Sequence, residues 1–257
     1  MKKFFALIVL ILVIAVGAGV YWVFSNLNGI VQAQVEKHGS RLLQTEVRLT
    51  SVDLQLLKGF GDLKGFSIHN PKNYSDNPAF AFDEIKLDID IKSVRNQPLI
   101  VDEVLVAGPS VLFEMNSEGK NNLTVLKDNL TSQLSAETKA TEQETADPAQ
   151  DASSEDSLLV IVNKVTVQGV KLTLDLSAMG QEKYEITLPA FNAEPVGMPD
   201  GLPAEQVGGA IVKSMISNIT KQATKAAEQK MKERAAEELK KRASEEGGSL
   251  LDKLKGN

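Results

Sequence analysis

Ile100-Val101-Asp102-Glu103-Val104-Leu105-Val106-Ala107-Gly108-Pro109-Ser110-Val111-Leu112-Phe113-Glu114 aligns without a gap on Ile161-Val162-Asn163-Lys164-Val165-Thr166-Val167-Gln168-Gly169-Val170-Lys171-Leu172-Thr173-Leu174-Asp175. Ile, Val, Val, Val and Gly recur at matching places, and an acid closes both copies. Each copy reads as a strand, a glycine turn and a second strand. Repetition of a strand pair marks a sheet that grows by adding like units. Such a sheet points to a scaffold or a groove, whereas catalytic pockets form where unlike elements converge. Outward from the repeat, Ile85, Leu87, Ile89 and Ile91 alternate with Lys86, Asp88, Asp90 and Lys92, which gives a strand from Ala81 to Val94 with one dry and one wet face. Phe80 and Phe82 lie in the opposite phase, so a bulge is expected near Asp83. Upstream, Val47 and Leu49 give way to Val52, Leu54 and Leu56, a phase shift that predicts another bulge near Thr50.

The flanks of the repeat differ in character. From about Leu130 to Ser157 the chain is rich in Ser, Thr, Ala, Gln, Glu and Asp. So few large apolar residues cannot offset the entropy of ordering, and the stretch reads as a flexible acidic linker between the two copies. Asn26 to Thr45 has helical spacing at Ile30, Val31, Val35, Leu42 and Leu43. Beyond Pro189, three prolines precede a helical pattern from about Ala204 to Ser244. Its stripe of Ile211, Met215, Ile216 and Ile219 narrows to Ala223, Ala226 and Ala227, and Gly247-Gly248 is expected to end it. Acid-before-base pairs such as Glu237/Lys241 stabilise an exposed helix by a few tenths of a kcal/mol each.

Composition removes several function classes. The chain has 257 residues, 42% of them hydrophobic and 24% charged, which is an ordinary folding composition. Aromatics at 5% are too few for a stacking platform, and a net charge of -6 opposes binding of a polyanion, so no nucleic-acid partner is expected. The absence of cysteine excludes disulfides, thiolate metal sites and a Cys nucleophile. At the N-terminus, Lys2 and Lys3 precede an uncharged apolar run from Phe4 to Phe24. As a helix it spans roughly 30 Å, one hydrocarbon thickness. The lysines favour a cytoplasmic N-terminus, and Tyr21 and Trp22 suit the outer interface, so a single-pass anchor is expected. A cleaved signal peptide, with Ala15, Gly17, Ala18 and Gly19 near the cut, is the rival reading; the run continues through Val20 to Phe24, too long and bulky for a cleavage region.

No catalytic or metal-ligating constellation is expected, and no cofactor. His38 and His69 lack ligand-spaced partners. Asp88 and Asp90 share a strand face with Lys86 and Lys92 and read as solvated. Gly59-Phe60-Gly61 lacks the helix that a phosphate loop needs and reads as a turn. Asn-x-Ser/Thr occurs at Asn73, Asn122, Asn129 and Asn218 and is taken as chance. The candidate site is apolar: Ile85, Leu87, Ile89 and Ile91 with Val104, Val106, Val111 and Phe113, which line either an acyl-chain groove or the core.

The order of elements resembles the N-terminal region of the AsmA family of bacterial envelope proteins. The matching residues are Gly65-Phe66-Ser67-Ile68-His69-Asn70-Pro71, Leu99 to Phe113 with its Gly108-Pro109, and Gly119 to Leu123, within roughly Lys3 to Leu188. The resemblance implies a non-enzymatic inner-membrane protein with a periplasmic, groove-shaped antiparallel sheet, linked to outer-membrane biogenesis and phospholipid traffic. The expected fold class is mainly β with α: an N-terminal transmembrane helix (1–25), an AsmA-like β domain of repeated strand pairs (26–190, with its linker at 130–157), and a proline-containing connection with a long C-terminal helix (191–257). This chain is shorter than the long family members, which favours action with an envelope protein partner or as a homo-oligomer, its C-terminal helix serving as a lid or a coiled-coil contact. The alternatives are a protein-binding scaffold through that helix and a lipopolysaccharide-transport component of the LptC kind.

Overall fold

The repeat is the spine of the sheet, in a different way from the one its sequence suggests. In the computed structural model, which describes residues 26–144 and 158–255, the two copies lie side by side. Strands β5 (Leu99–Ala107) and β6 (Ser110–Glu114) form the first copy; β7 (Leu159–Val162), β8 (Val165–Gln168) and β9 (Val170–Asp175) form the second. They run parallel and in the register of the sequence alignment: Ile100 beside Ile161, Val104 beside Val165, Val106 beside Val167, Glu114 beside Asp175. Neither copy turns back at its glycine. β5 and β6 both run antiparallel to β4 (Pro78–Ile89), with Glu84 opposite Ala107 and Ala81 opposite Ser110, so Gly108-Pro109 sits within one continuous ribbon. A parallel neighbour requires a crossover of a dozen or more residues. That crossover contains α2 (Asn122–Glu144), so residues 130–144 of the expected linker are helix, and Leu130 is buried. The remainder of the linker lies outside the described residues.

The rest of the sheet follows chain order. β1 (Val47–Arg48) and β2 (Ser51–Gln55) pair with β3 (Phe60–His69), and β3 pairs with β4. On the far side β10 (Lys183–Leu188), β11 (Phe191–Ala193) and β12 (Leu202–Pro203) line up end to end against β9, β8 and β7. All twelve strands belong to one mixed sheet. The expected mainly β, antiparallel fold of repeated hairpins is therefore corrected to mixed α/β, because the two copies pair in parallel through a helical crossover. No helix among the described residues is long and apolar enough to cross a membrane; the expected anchor at 1–25 lies outside them.

A single row explains the phase shifts read in the sequence. The pairing places Thr50, Gly65, Asp83, Gly108, Gly169 and Pro189 opposite one another across the sheet. Gly65, Gly108 and Gly169 have φ of 62°, 60° and 63°, a left-handed backbone that glycine adopts without strain. Buried positions change phase at this row in every ribbon: Val106 gives way to Val111, and Val167 to Val170. The register is unbroken through it, so the bulges expected at Thr50 and Asp83 are a shared kink with no inserted residue. The register shifts lie instead at Ile68/His69 and Asp88/Ile89.

Helices pack against part of the sheet and join one core with it. Helix α1 (26–43) brings in Leu42 and Leu43, α2 brings Leu123, Leu126 and Leu130, and α3 (Ala204–Lys255) brings Met215, Ile216, Ile219, Ala223 and Ala227. Residues of β11, β12 and the first half of α3 share that core. α3 folds back along the last ribbon, from Leu158 at Ala204 to Glu182 and Tyr184 at Arg234. Gly247-Gly248 does not end it. Each glycine costs a helix about 1 kcal/mol, which weakens it without stopping it.

α1 also solves an edge problem. Asn28, Gln32, Glu36 and Ser40 recur every fourth residue and so share one helix face. Asn28 Oδ1 accepts from Leu54 N, Glu36 Oε1 from Leu49 N and Ser40 Oγ from Val47 N, each at 2.9 Å, while Gln32 Nε2 donates to Leu49 O at 2.6 Å. These side chains stand in for a missing neighbour strand, and an uncovered edge invites association. Replacing Asn28, Gln32 and Glu36 together with alanine is expected to cost about 2–4 kcal/mol, at roughly 1 kcal/mol per bond. Hydrogen exchange at the Leu49 and Leu54 amides should accelerate well before the β4 amides do; unchanged protection would show that α1 does not hold this edge.

Candidate functional site

The candidate apolar residues divide by depth. Val104, Val106, Val111, Phe113 and Ile89 are buried, Phe113 with 1% of its surface exposed, and they belong to the same core as the helices. Ile85 and Leu87 are half-buried and pack against that core, while Ile91 is 51% exposed at the sheet margin. The helical layer accounts for this arrangement. Side chains of α1, α2 and α3 meet at Gly209, where a Cβ would stand 3.1 Å from Leu134 Cδ2 and 3.2 Å from Leu42 Cδ1. The five buried positions thus belong to the core that the helices share.

The two short segments that carried the family resemblance meet in space. Asn122, at the start of α2, is 0% exposed. Its Oδ1 accepts from Glu114 N at 2.9 Å, and its Nδ2 donates to Leu112 O and Asn70 Oδ1, both at 2.7 Å. β4 begins at Pro78 and pairs with β6 only as far as Phe80 and Val111, so the Asn122 amide supplies the bonds that a neighbouring peptide would have given β6. Asn70 then donates to Glu114 Oε2 (3.1 Å), and Ser75 gives Glu114 both its Oγ (2.6 Å) and its N (2.9 Å). Asn121 Oδ1 caps α2 by accepting from Thr124 N at 2.8 Å. Burial pushes the neighbouring Tyr74 phenol up, and the charges of Glu114 and Glu118 add to the shift. Both polar atoms of the Asn122 side chain are thereby committed, which bars it from carrying a glycan. Asn129 is engaged too, donating to Leu43 O at the end of α1. The node locks the β3–β4 loop to the crossover. Its sequence signal was a pair of asparagines in separate turn motifs, with no sign that they touch.

The residues weighed for chemistry stay apart. His69 ends β3 with Nε2 3.9 Å from Glu46, and His38 meets Arg41 on α1. Asp90 caps the turn at Lys92, Asp88 is exposed, and Gly59 closes a short 3-10 turn before β3. No group of three His, Cys, Asp or Glu able to hold a metal occurs among the described residues. What remains outward is a helix. α3 meets the last ribbon through Arg234, which contacts Glu182 (3.1 Å) and Tyr184 (3.3 Å), and through Lys230 over the Tyr184 ring. α3 continues to Lys255, about 20 residues or roughly 30 Å further. Ala235, Ala236, Leu239 and Ala243 are exposed there, Leu239 to 68%.

No protein-family model matches this chain, and no curated protein matches it either.

Proposed function

We propose that this protein is a non-enzymatic module of a bacterial envelope, related to AsmA, tethered to the inner membrane through Phe4–Phe24 and working on the periplasmic side as a protein-binding scaffold in support of outer-membrane biogenesis. The observation that carries the scaffold reading is the division within α3. Its first half is packed into the core with the sheet, and residues 235–243 of its second half are exposed. A lipid conduit needs an open apolar trough, and the buried Val104, Val106, Val111 and Phe113 argue against one. The tether rests on the apolar run and its paired lysines. The relation to AsmA rests on the Asn-Pro and Asn-Asn-Leu segments, which the Asn70–Asn122 bond gives a shared structural role.

Removing residues 235–257 from the full chain tests the reading. The melting temperature is expected to change by less than about 2 °C, because residues 235–243 are exposed, and co-purification of an envelope protein should be lost. A partner set unchanged by the truncation would overturn the scaffold role. Stoichiometric phospholipid in native mass spectrometry of the detergent-extracted chain would return the function to lipid handling.

A further inference from the structure

The sheet has two edges and treats them differently. α1 occupies the β1–β2 edge with the Asn28, Gln32, Glu36 and Ser40 ladder. The opposite edge is β10, β11 and β12 end to end. Lys171 N donates to Pro109 O and Met115 N to Asp175 O, so the odd-numbered residues of β9 bond toward β6. Gln181 N donates to Leu176 O, so the even-numbered ones bond toward β10. In the β9–β10 register, Tyr184, Ile186 and Leu188 therefore face β9, and the main-chain groups of Lys183, Glu185 and Thr187 point off the sheet. Among the described residues nothing pairs with them. Their side chains are exposed as well, on the face opposite the Tyr184 contacts with α3.

We propose that β10 is the contact between two copies of this chain, paired antiparallel about a two-fold axis at Tyr184. Residues that bond outward must face each other in such a pair, and centring on Tyr184 sets Lys183 against Glu185 of the second copy and Glu185 against its Lys183. Each Lys183, already 2.8 Å from Asp175 of its own chain, then lies between two carboxylates. Centring on Glu185 would oppose like charges, and centring on Ile186 would set Glu185 against Thr187 with no ion pair, so charge selects the register at Tyr184. Because α1 blocks the other edge, the addition stops at two copies and cannot run on into a filament. The pairing is independent of the exposed end of α3 and of whatever that end binds.

Light scattering of the full chain in detergent is expected to give a dimer. Glu185→Lys places Lys against Lys twice and should weaken the dimer roughly tenfold. The double exchange Lys183→Glu with Glu185→Lys restores the complementarity and should restore the dimer. The chain has no cysteine. Tyr184→Cys is therefore expected to form a disulfide-linked dimer, since facing positions that do not exchange hydrogen bonds have Cα atoms about 4.5 Å apart. Thr187→Cys should not cross-link, as its two copies would stand roughly 20 Å apart. The chain lacking residues 235–257 should dimerise like the full chain, which separates this result from loss of the scaffold role. A monomeric full chain would overturn the proposal, and so would a dimer indifferent to Glu185→Lys and not rescued by the double exchange.

Discussion

Asn122→Ala is expected to lower folding stability by about 3–5 kcal/mol. The residue is fully buried, and its amide serves Glu114 N, Leu112 O and Asn70 Oδ1. Alanine leaves all of them without a partner in a place closed to water, and each unsatisfied buried group costs about 1–3 kcal/mol. For a body of this size the melting temperature should fall by about 10 °C. Asn122→Asp separates geometry from chemistry. A carboxylate can still accept from Glu114 N, but it cannot donate to Leu112 O or Asn70 Oδ1, and it buries a charge near Glu114. It is expected to be at least as damaging as alanine at neutral pH and to regain stability as acid returns a proton to it. Thermal melts of both variants against pH check this. A midpoint unchanged in Asn122→Ala would show that water replaces the amide and that the node does not hold α2 in place.

Gly65→Ala is expected to cost about 3–5 kcal/mol, against about 1–2 kcal/mol for Gly108→Ala. Both glycines sit in the kink row with nearly equal φ, 62° and 60°, so the backbone penalty is common to the two. Space separates them. A Cβ on Gly65 lands on Thr50 Oγ1 and 2.8 Å from Thr50 Cβ, which no side-chain rotation moves away. A Cβ on Gly108 meets nothing within 4 Å. Relief of the first clash requires β2 and β3 to separate where Thr50 N donates to Lys64 O at 3.0 Å. A second change, Thr50→Gly, should recover part of the stability lost in Gly65→Ala and none of that lost in Gly108→Ala. Denaturant titration of the single and paired variants measures this directly. Equal losses at the two glycines would mean that the kink row is held by backbone conformation alone.

Local pattern carried much of the fold. Alternation located β4 and the repeat, helical spacing located α1 and α3, and the phase shifts at Thr50 and Phe82 marked the kink row before its cause was visible. Two readings failed for physical reasons. Glycine with positive φ serves equally in a reversing turn and in an in-line kink, so Gly108 and Gly169 could not reveal that their ribbons run straight on. Asn122 to Glu144 carries few large apolar residues, but Leu123, Leu126 and Leu130 bury one short face against partners from α1 and α3. Composition averaged over the stretch hides that stripe. Of the candidate site, Ile89, Val104, Val106, Val111 and Phe113 are buried and Ile91 is exposed, and nothing in their own sequence says what covers them.

By itself the sequence determined how apolar and polar residues alternate, where the chain changes phase, that a segment is duplicated, and that an apolar run precedes the body. Those properties reside in single residues and their near neighbours. Only the tertiary structure decided that the duplicate strands pair in parallel, that helices close the apolar face, that Asn122 completes an interrupted ladder, and that one sheet edge is shielded while the other is bare. Each of these depends on a partner far along the chain, such as Leu112 for Asn122, or Leu49 and Leu54 for the α1 ladder. A hydrogen bond or a packed face is a property of two surfaces, and one of the two is always absent from the local sequence.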